Sequence, residues 1–251
     1  MKILRSIFKS LRSQIFPLYA DLSPRLEAIE IAFQTLADNN KYESDEFSLN
    51  RQEVRRAITS KILTGIKFDF IVETGTYTGN STGYFSKFNA KVISSEISKP
   101  LYFVAKQRLA GFSNVNVRLS DSRNLLRELI VEKVNLSPTF FYLDAHWLND
   151  LPLLEEIKII DENWTDWIVL IDDFEVPNDS GYGFDDYGKG KVLNYEYIEK
   201  YVLNNSIDVY FPNVLSTNET GYKRGYTFLS KGSQNSKFLG GIGELSLYKG
   251  K

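Results

Sequence analysis

The chain has 251 residues, of which 43% are apolar and 25% charged, enough for one large domain or two small ones with a real core. Thirty basic against 32 acidic side chains leave a formal charge of −2, which offers no global attraction to phosphate backbones and speaks against nucleic acid as a partner. The absence of cysteine and the single histidine, His146, exclude disulfides, thiolate zinc, iron–sulfur clusters and multi-histidine metal sites, so any metal must be held mainly by oxygen.

No apolar run approaches the roughly 20 residues that span a bilayer. Near the N-terminus Leu4, Ile7, Phe8, Leu11 and Ile15 recur at helical spacing, with Arg5, Lys9 and Arg12 on the other side and Pro17 as the stop. Two readings are open: a helix packed on the domain or on a second copy of the chain, and a basic amphipathic helix over residues 1–16 lying on an anionic membrane surface. Interrupting charges argue against a cleaved signal peptide. From 23 to about 65 the pattern stays helical, with a polar break at 38–45.

The pattern then changes to short β-rich runs at 68–73, 91–96, 114–119, 139–144 and 166–172, separated by helical stretches near 81–88, 99–110, 122–133 and 150–161. Strands alternating with helices predict right-handed βαβ crossovers and a mostly parallel sheet covered on both faces. The continuous apolar runs at 139–143 and 167–171 fit central strands. A Gly/Asp/Tyr-rich stretch at 177–191 follows, with Tyr182, Phe184 and Tyr187; it reads either as a substrate lid or as a surface loop with tucked aromatics. A helix near 192–203 and strands near 207–211, 225–230 and 244–249 complete the chain. The predicted organisation is a helical N-terminal extension, 1–65, and a Rossmann-like domain, 66–251.

The first strand ends in Glu73-Thr74-Gly75-Thr76-Tyr77-Thr78-Gly79-Asn80-Ser81-Thr82, whose glycines permit a tight turn and close backbone approach to a ligand. Glu96 ends the second strand, where an acid reaches ribose hydroxyls, and Ser120-Asp121-Ser122 follows the third. No Walker lysine follows the loop, and Glu73 would repel a pyrophosphate. This E-x-G-x-x-x-G loop, with the acids after strands two and three, resembles the class I S-adenosylmethionine-dependent methyltransferases over about 68–175. The resemblance implies a Rossmann-like doubly wound, mostly parallel seven-stranded sheet. It also implies a cofactor-binding set of Glu73, Gly75, Thr76, Tyr77, Gly79, Ser81, Thr82, Glu96, Ile97, Asp121, Ser122 and Asp144. In it Glu73 lies near the cofactor's amino group, Glu96 holds the ribose and Asp121 approaches the adenine amino group.

Strand four ends in Asp144-Ala145-His146-Trp147 and strand five in Asp172-Asp173. Three carboxylates on one rim repel unless protons or a cation compensate, and hard oxygen ligands suit Mg²⁺ or Ca²⁺; otherwise they cap turns or face solvent. His146 is a candidate proton acceptor, a ligand or a packed residue. The pattern is similar to that of metal-dependent O-methyltransferases of the catechol and macrolide-sugar types and of cephalosporin-hydroxylase-like proteins. D-A-H-W followed by L-P-L-L-E-E is also similar to methyltransferase-like proteins found with bacterial surface-glycan genes. The resemblance implies Asp144, Asp172 and Asp173 as Mg²⁺ ligands, with His146 and Asp144 at the chemistry. The chain departs from the catechol type by having Asp172-Asp173 rather than Asp-Asn, and no lysine stands near Asp144. The expected function is Mg²⁺-dependent methylation of a hydroxyl on a small molecule or sugar by a cytoplasmic enzyme. The alternatives are a cephalosporin-hydroxylase-like enzyme, a nicotinamide-dependent oxidoreductase, or a cofactor-binding subunit without activity.

Overall fold

The computed structural model describes residues 26, 29, 44–146 and 150–250. The amphipathic helix expected over 1–17, with its membrane or subunit contact, and Trp147 lie outside the described residues.

Two 3₁₀ turns, Asp45–Phe47 and Leu49–Arg51, lead into α1 (Glu53–Gly65). Then β1 (Phe70–Thr74), α2 (Asn80–Phe85), β2 (Lys91–Glu96), α3 (Lys99–Arg108), β3 (Val115–Leu119) and α4 (Ser122–Val131) alternate. They continue through β4 (Thr139–Leu143), α5 (Leu153–Asn163), β5 (Trp167–Ile171) and α6 (Tyr195–Asn204) to β6 (Asp208–Pro212), β7 (Thr227–Ser230), α7 (Ser233–Gly240) and β8 (Leu245–Leu247).

One sheet carries all these strands in the order β3-β2-β1-β4-β5-β7-β6-β8. The first five pair in parallel and the last three antiparallel. The expected doubly wound fold is present, and the strand expected near 244–249 pairs with β6 as an edge strand at 245–247, so the sheet has eight strands where the resemblance implied seven. β4 and β5 are buried along their whole length, as strands covered on both faces must be. Their aromatic side chains anchor the core, with Phe140 edge-on to Phe68 at 5.8 Å and Phe141 to Trp164 at 5.2 Å.

The chain runs outward from β1 through β2 to β3, then returns to β4 on the other side of β1. That reversal opens a crevice at the carboxyl ends of β1 and β4, the place where open α/β sheets bind ligands. The segment before β1 is joined to the same core: Ile58, Ile62 and Leu63 of α1 are buried in it. The amino end of α1 is capped from far along the chain, since Glu219 accepts from the amides of Val54 and Arg55 at 3.1 Å. Among the described residues no helix is long and apolar enough to cross a membrane.

Candidate active site

The loop after β1 is shaped by two glycines in the left-handed region, Gly75 at φ +89° and Gly79 at φ +86°. A Cβ on Gly75 would lie 2.3 Å from the Asp144 carbonyl oxygen, so only glycine lets β1 and β4 meet here. The amides of Gly75 and Thr76 both donate to Ser95 O at 3.0 Å, and the Tyr77 amide donates to Glu96 Oε2 at 2.7 Å. Glu96 Oε1 accepts from the Ser98 amide at 2.8 Å. One carboxylate thus ties the loop to the end of β2.

Glu73 is 1% exposed and accepts from the hydroxyls of Thr82 and Ser94. Burial pushes its carboxyl up to about 7, against the pull of those two hydroxyls. Asp121 caps α4, accepting from the amides of Arg123 at 3.0 Å and Asn124 at 3.4 Å, and pairs with the Arg123 guanidinium. These strand ends line one cavity of about 880 Å³. Of the expected cofactor set, Glu73, Gly75, Thr76, Tyr77, Ser81, Glu96, Ile97, Asp121, Ser122 and Asp144 all line it. Gly79 and Thr82 do not: the first makes the turn and the second holds Glu73.

The acids after β4 and β5 separate into two environments. Asp172 is buried, and its carboxylate accepts from Arg55 Nη1 at 2.7 Å, from Asn50 Nδ2 at 3.1 Å, from the Tyr142 hydroxyl and from the Asp173 amide. Burial alone would raise its pKa; Arg55 outweighs that and holds it below the usual range. Asp172 therefore spends its lone pairs on Arg55 and its neighbours, whereas a metal-ligand role with Asp144 and Asp173 was expected. Candidate ligand atoms of Asp144, His146 and Asp173 lie within 4.8 Å of one another. The His146 side chain is 3% exposed, and its Nε2 has no hydrogen-bond partner among the described residues. Carboxylate oxygens of Asp144, Asp173 and Asp185 stand 3.7–3.8 Å from it. Burial would lower the imidazole pKa, but Asp173, Asp172 and Asp185 together raise it. Asp144 is pushed well above its ordinary value by burial and then by repulsion from Asp172 and Asp173. A buried imidazole nitrogen lacking a partner, beside the carboxyl groups of Asp144 and Asp173, is a donor set that fits a divalent cation.

Residues 177–191 send some side chains into the core and others to the cavity. Tyr182 is buried and donates to Val214 O at 3.0 Å, while Asp185 and Tyr187 line the cavity. Arg224 joins Asp173 to Asp185. Sequence reasoning missed Asn50, Arg51, Arg55, Asp185 and Arg224. A signal existed for Arg55 alone: it occupies the buried stripe of α1 with Ile58, Thr59 and Ile62, a charge at an apolar position.

No protein-family model and no curated protein matches the chain. Solved structures do. An O-methyltransferase from Bacillus cereus in complex with SAH is 17% identical, with 82% of this chain and 91% of that one covered at a TM-score of 0.54. Cofactor-bound Rv0187 from MTB is 16% identical, with 83% and 88% covered at 0.53. The chain therefore has the Rossmann-like fold of these proteins, the class I methyltransferase fold that its strand-end motifs resemble.

Proposed function

We propose that the protein is an S-adenosylmethionine-dependent O-methyltransferase acting on a hydroxyl of a small molecule or sugar, with a divalent cation held by Asp144, His146 and Asp173. The observation that supports it most is one cavity lined by the Gly75 loop, Glu73, Glu96, Asp144 and His146 together. When bound, the cofactor supplies a sulfonium methyl whose bond to sulfur breaks as the bond to oxygen forms, leaving S-adenosylhomocysteine. A cation held by these residues would lower the pKa of a neighbouring hydroxyl, whose proton would leave to water as the methyl is transferred. Glu73 would meet the cofactor's ammonium group, a better match for an acid than a pyrophosphate, and Glu96 would hold the ribose hydroxyls. Asp173 is braced by Arg224 and Asp144 by the Tyr142 hydroxyl at 3.2 Å, so both carboxylates are oriented before any ligand arrives. His146 Nε2 faces carboxylates, a geometry that suits a ligand better than a proton acceptor. An imidazole in the set makes Mn²⁺ or Fe²⁺ as suitable as Mg²⁺.

Calorimetry with S-adenosylhomocysteine and NAD, then with Mg²⁺ and Mn²⁺, tests both parts. Binding of the first alone is expected, together with metal affinity that falls at least about tenfold in His146→Ala. NAD binding would favour an oxidoreductase. Unchanged metal affinity with methyl transfer lost would make His146 the proton acceptor.

A further inference from the structure

Among the described residues seven carboxylates line the cavity, and Arg51 is the one Lys or Arg side chain that does so. A guanidinium in such company ordinarily closes an ion pair, as Arg55 does with Asp172 and Arg224 with Asp173. Arg51 does not: among the described residues no carboxylate lies within 4.0 Å of it and its side chain makes no hydrogen bond. Its Cζ instead stands 4.3 Å from the Phe47 ring centroid and 5.6 Å from that of Tyr222. Stacking on ring faces orients a planar guanidinium while leaving its N–H edges available for a bidentate acceptor.

The backbone beneath is held in place at a cost. Leu49, Asn50 and Arg51 form a run of three non-glycine residues with φ of 47°, 60° and 61°. Such a run persists only where its surroundings over-determine it, a situation typical of ligand clamps. Here the Tyr222 amide donates to Asn50 O at 2.9 Å and the Thr220 hydroxyl to Arg51 O at 3.0 Å. Gly221, at φ +65°, packs so closely that a Cβ would lie 2.3 Å from Asn50 O. Phe47 is 42% and Tyr222 65% exposed, against 1% for Glu73. Arg51 thus stands at the mouth of the cavity rather than at its buried floor, where an incoming acceptor reaches it.

We propose that Arg51 selects the acceptor by binding an oxyanion that it carries, a carboxylate or a phosphate. The inference rests on the methyltransferase reading for the existence of an acceptor. Among the described lining residues Arg51 is the one guanidinium or ammonium group offered to such an anion, so it sets the acceptor's direction as well as its class.

The test is calorimetry of the protein loaded with S-adenosylhomocysteine against matched probes: glucuronate against glucose, glucose 1-phosphate against glucose, and 3,4-dihydroxybenzoate against catechol. The charged member of at least one pair is expected to bind about tenfold tighter, with the preference lost in Arg51→Gln and partly kept in Arg51→Lys. Preference within the carboxylate or the phosphate pairs identifies the group. No charged member preferred, or a preference that survives Arg51→Gln, would overturn the proposal. So would a matching loss of S-adenosylhomocysteine affinity in Arg51→Gln, which would assign Arg51 to the cofactor's carboxylate. Should the wild-type protein not bind S-adenosylhomocysteine, the methyltransferase reading fails. The same probes added to the unloaded protein then decide the role of Arg51 separately.

Discussion

One wall of the cavity, at the ends of β1, β2 and β3, is held mostly by backbone. Gly75 and Thr76 donate to Ser95 O, Ser120 donates to Glu96 O, and Asp121 caps the helix it precedes. The other wall is assembled by side chains that reach across the chain. Arg55 meets Asp172 at a separation of 117 residues, and Glu219 caps α1 at 164 and 165. The first wall forms wherever neighbouring strands pair, so damage there stays local. The second exists only when distant segments have met, and it depends on buried charges whose loss leaves a partner uncompensated.

Removing Arg55 should give the largest effect. Arg55→Ala leaves Asp172 ionised and buried beside Asp144, which should cost about 3–5 kcal/mol of stability, read as a lower denaturation midpoint. A loss under about 1 kcal/mol, the range of an exposed pair, would show that the second wall is not held by charge.

Glu73 tests the first wall through pH. Its folded pKa, about 7, lies above the ordinary 4.5, so the fold prefers the protonated form. That preference stabilises the fold fully below pH 4.5 and is lost as pH rises through about 7. Glu73→Gln stays neutral throughout, so its stability relative to wild type should rise across that interval by at most about 3 kcal/mol, at 1.36 kcal/mol per pH unit. Denaturant midpoints at several pH values measure it, and parallel curves would place Glu73 in a less buried setting. Cofactor affinity should move the other way in the wild type, strengthening from pH 6 to 8 as Glu73 ionises.

The smallest change is expected at Asp121. Asp121→Ala removes an N-cap and should cost about 1 kcal/mol. Affinity for S-adenosylhomocysteine should fall by less than about threefold, because the carboxylate is already engaged by Arg123 and its own helix. A larger loss would make Asp121 a principal cofactor contact.

The alternation of apolar runs at 68–73, 91–96, 139–144 and 166–172 with helical stretches identified the parallel sheet, since strand and helix periods are local properties of a chain. The Gly75–Gly79 loop and the acids at 73, 96, 121 and 144 were legible for the same reason: turn chemistry and strand ends lie within a few residues. What the sequence could not apportion was Asp172 against Asp173, because adjacent side chains after a strand diverge and their partners come from α1 and from residue 224. The same holds for Asn50 and Arg51, whose carbonyls are bonded by Tyr222 and Thr220, with Asp172 the neighbour of Asn50 in the cavity. By itself the sequence determined where each strand and turn lies and which acids stand at strand ends. Tertiary structure decided that Asp172 is buried on Arg55 and Tyr142 while Asp173 lies between Arg224 and His146, because burial and the approach of distant charges set those energies.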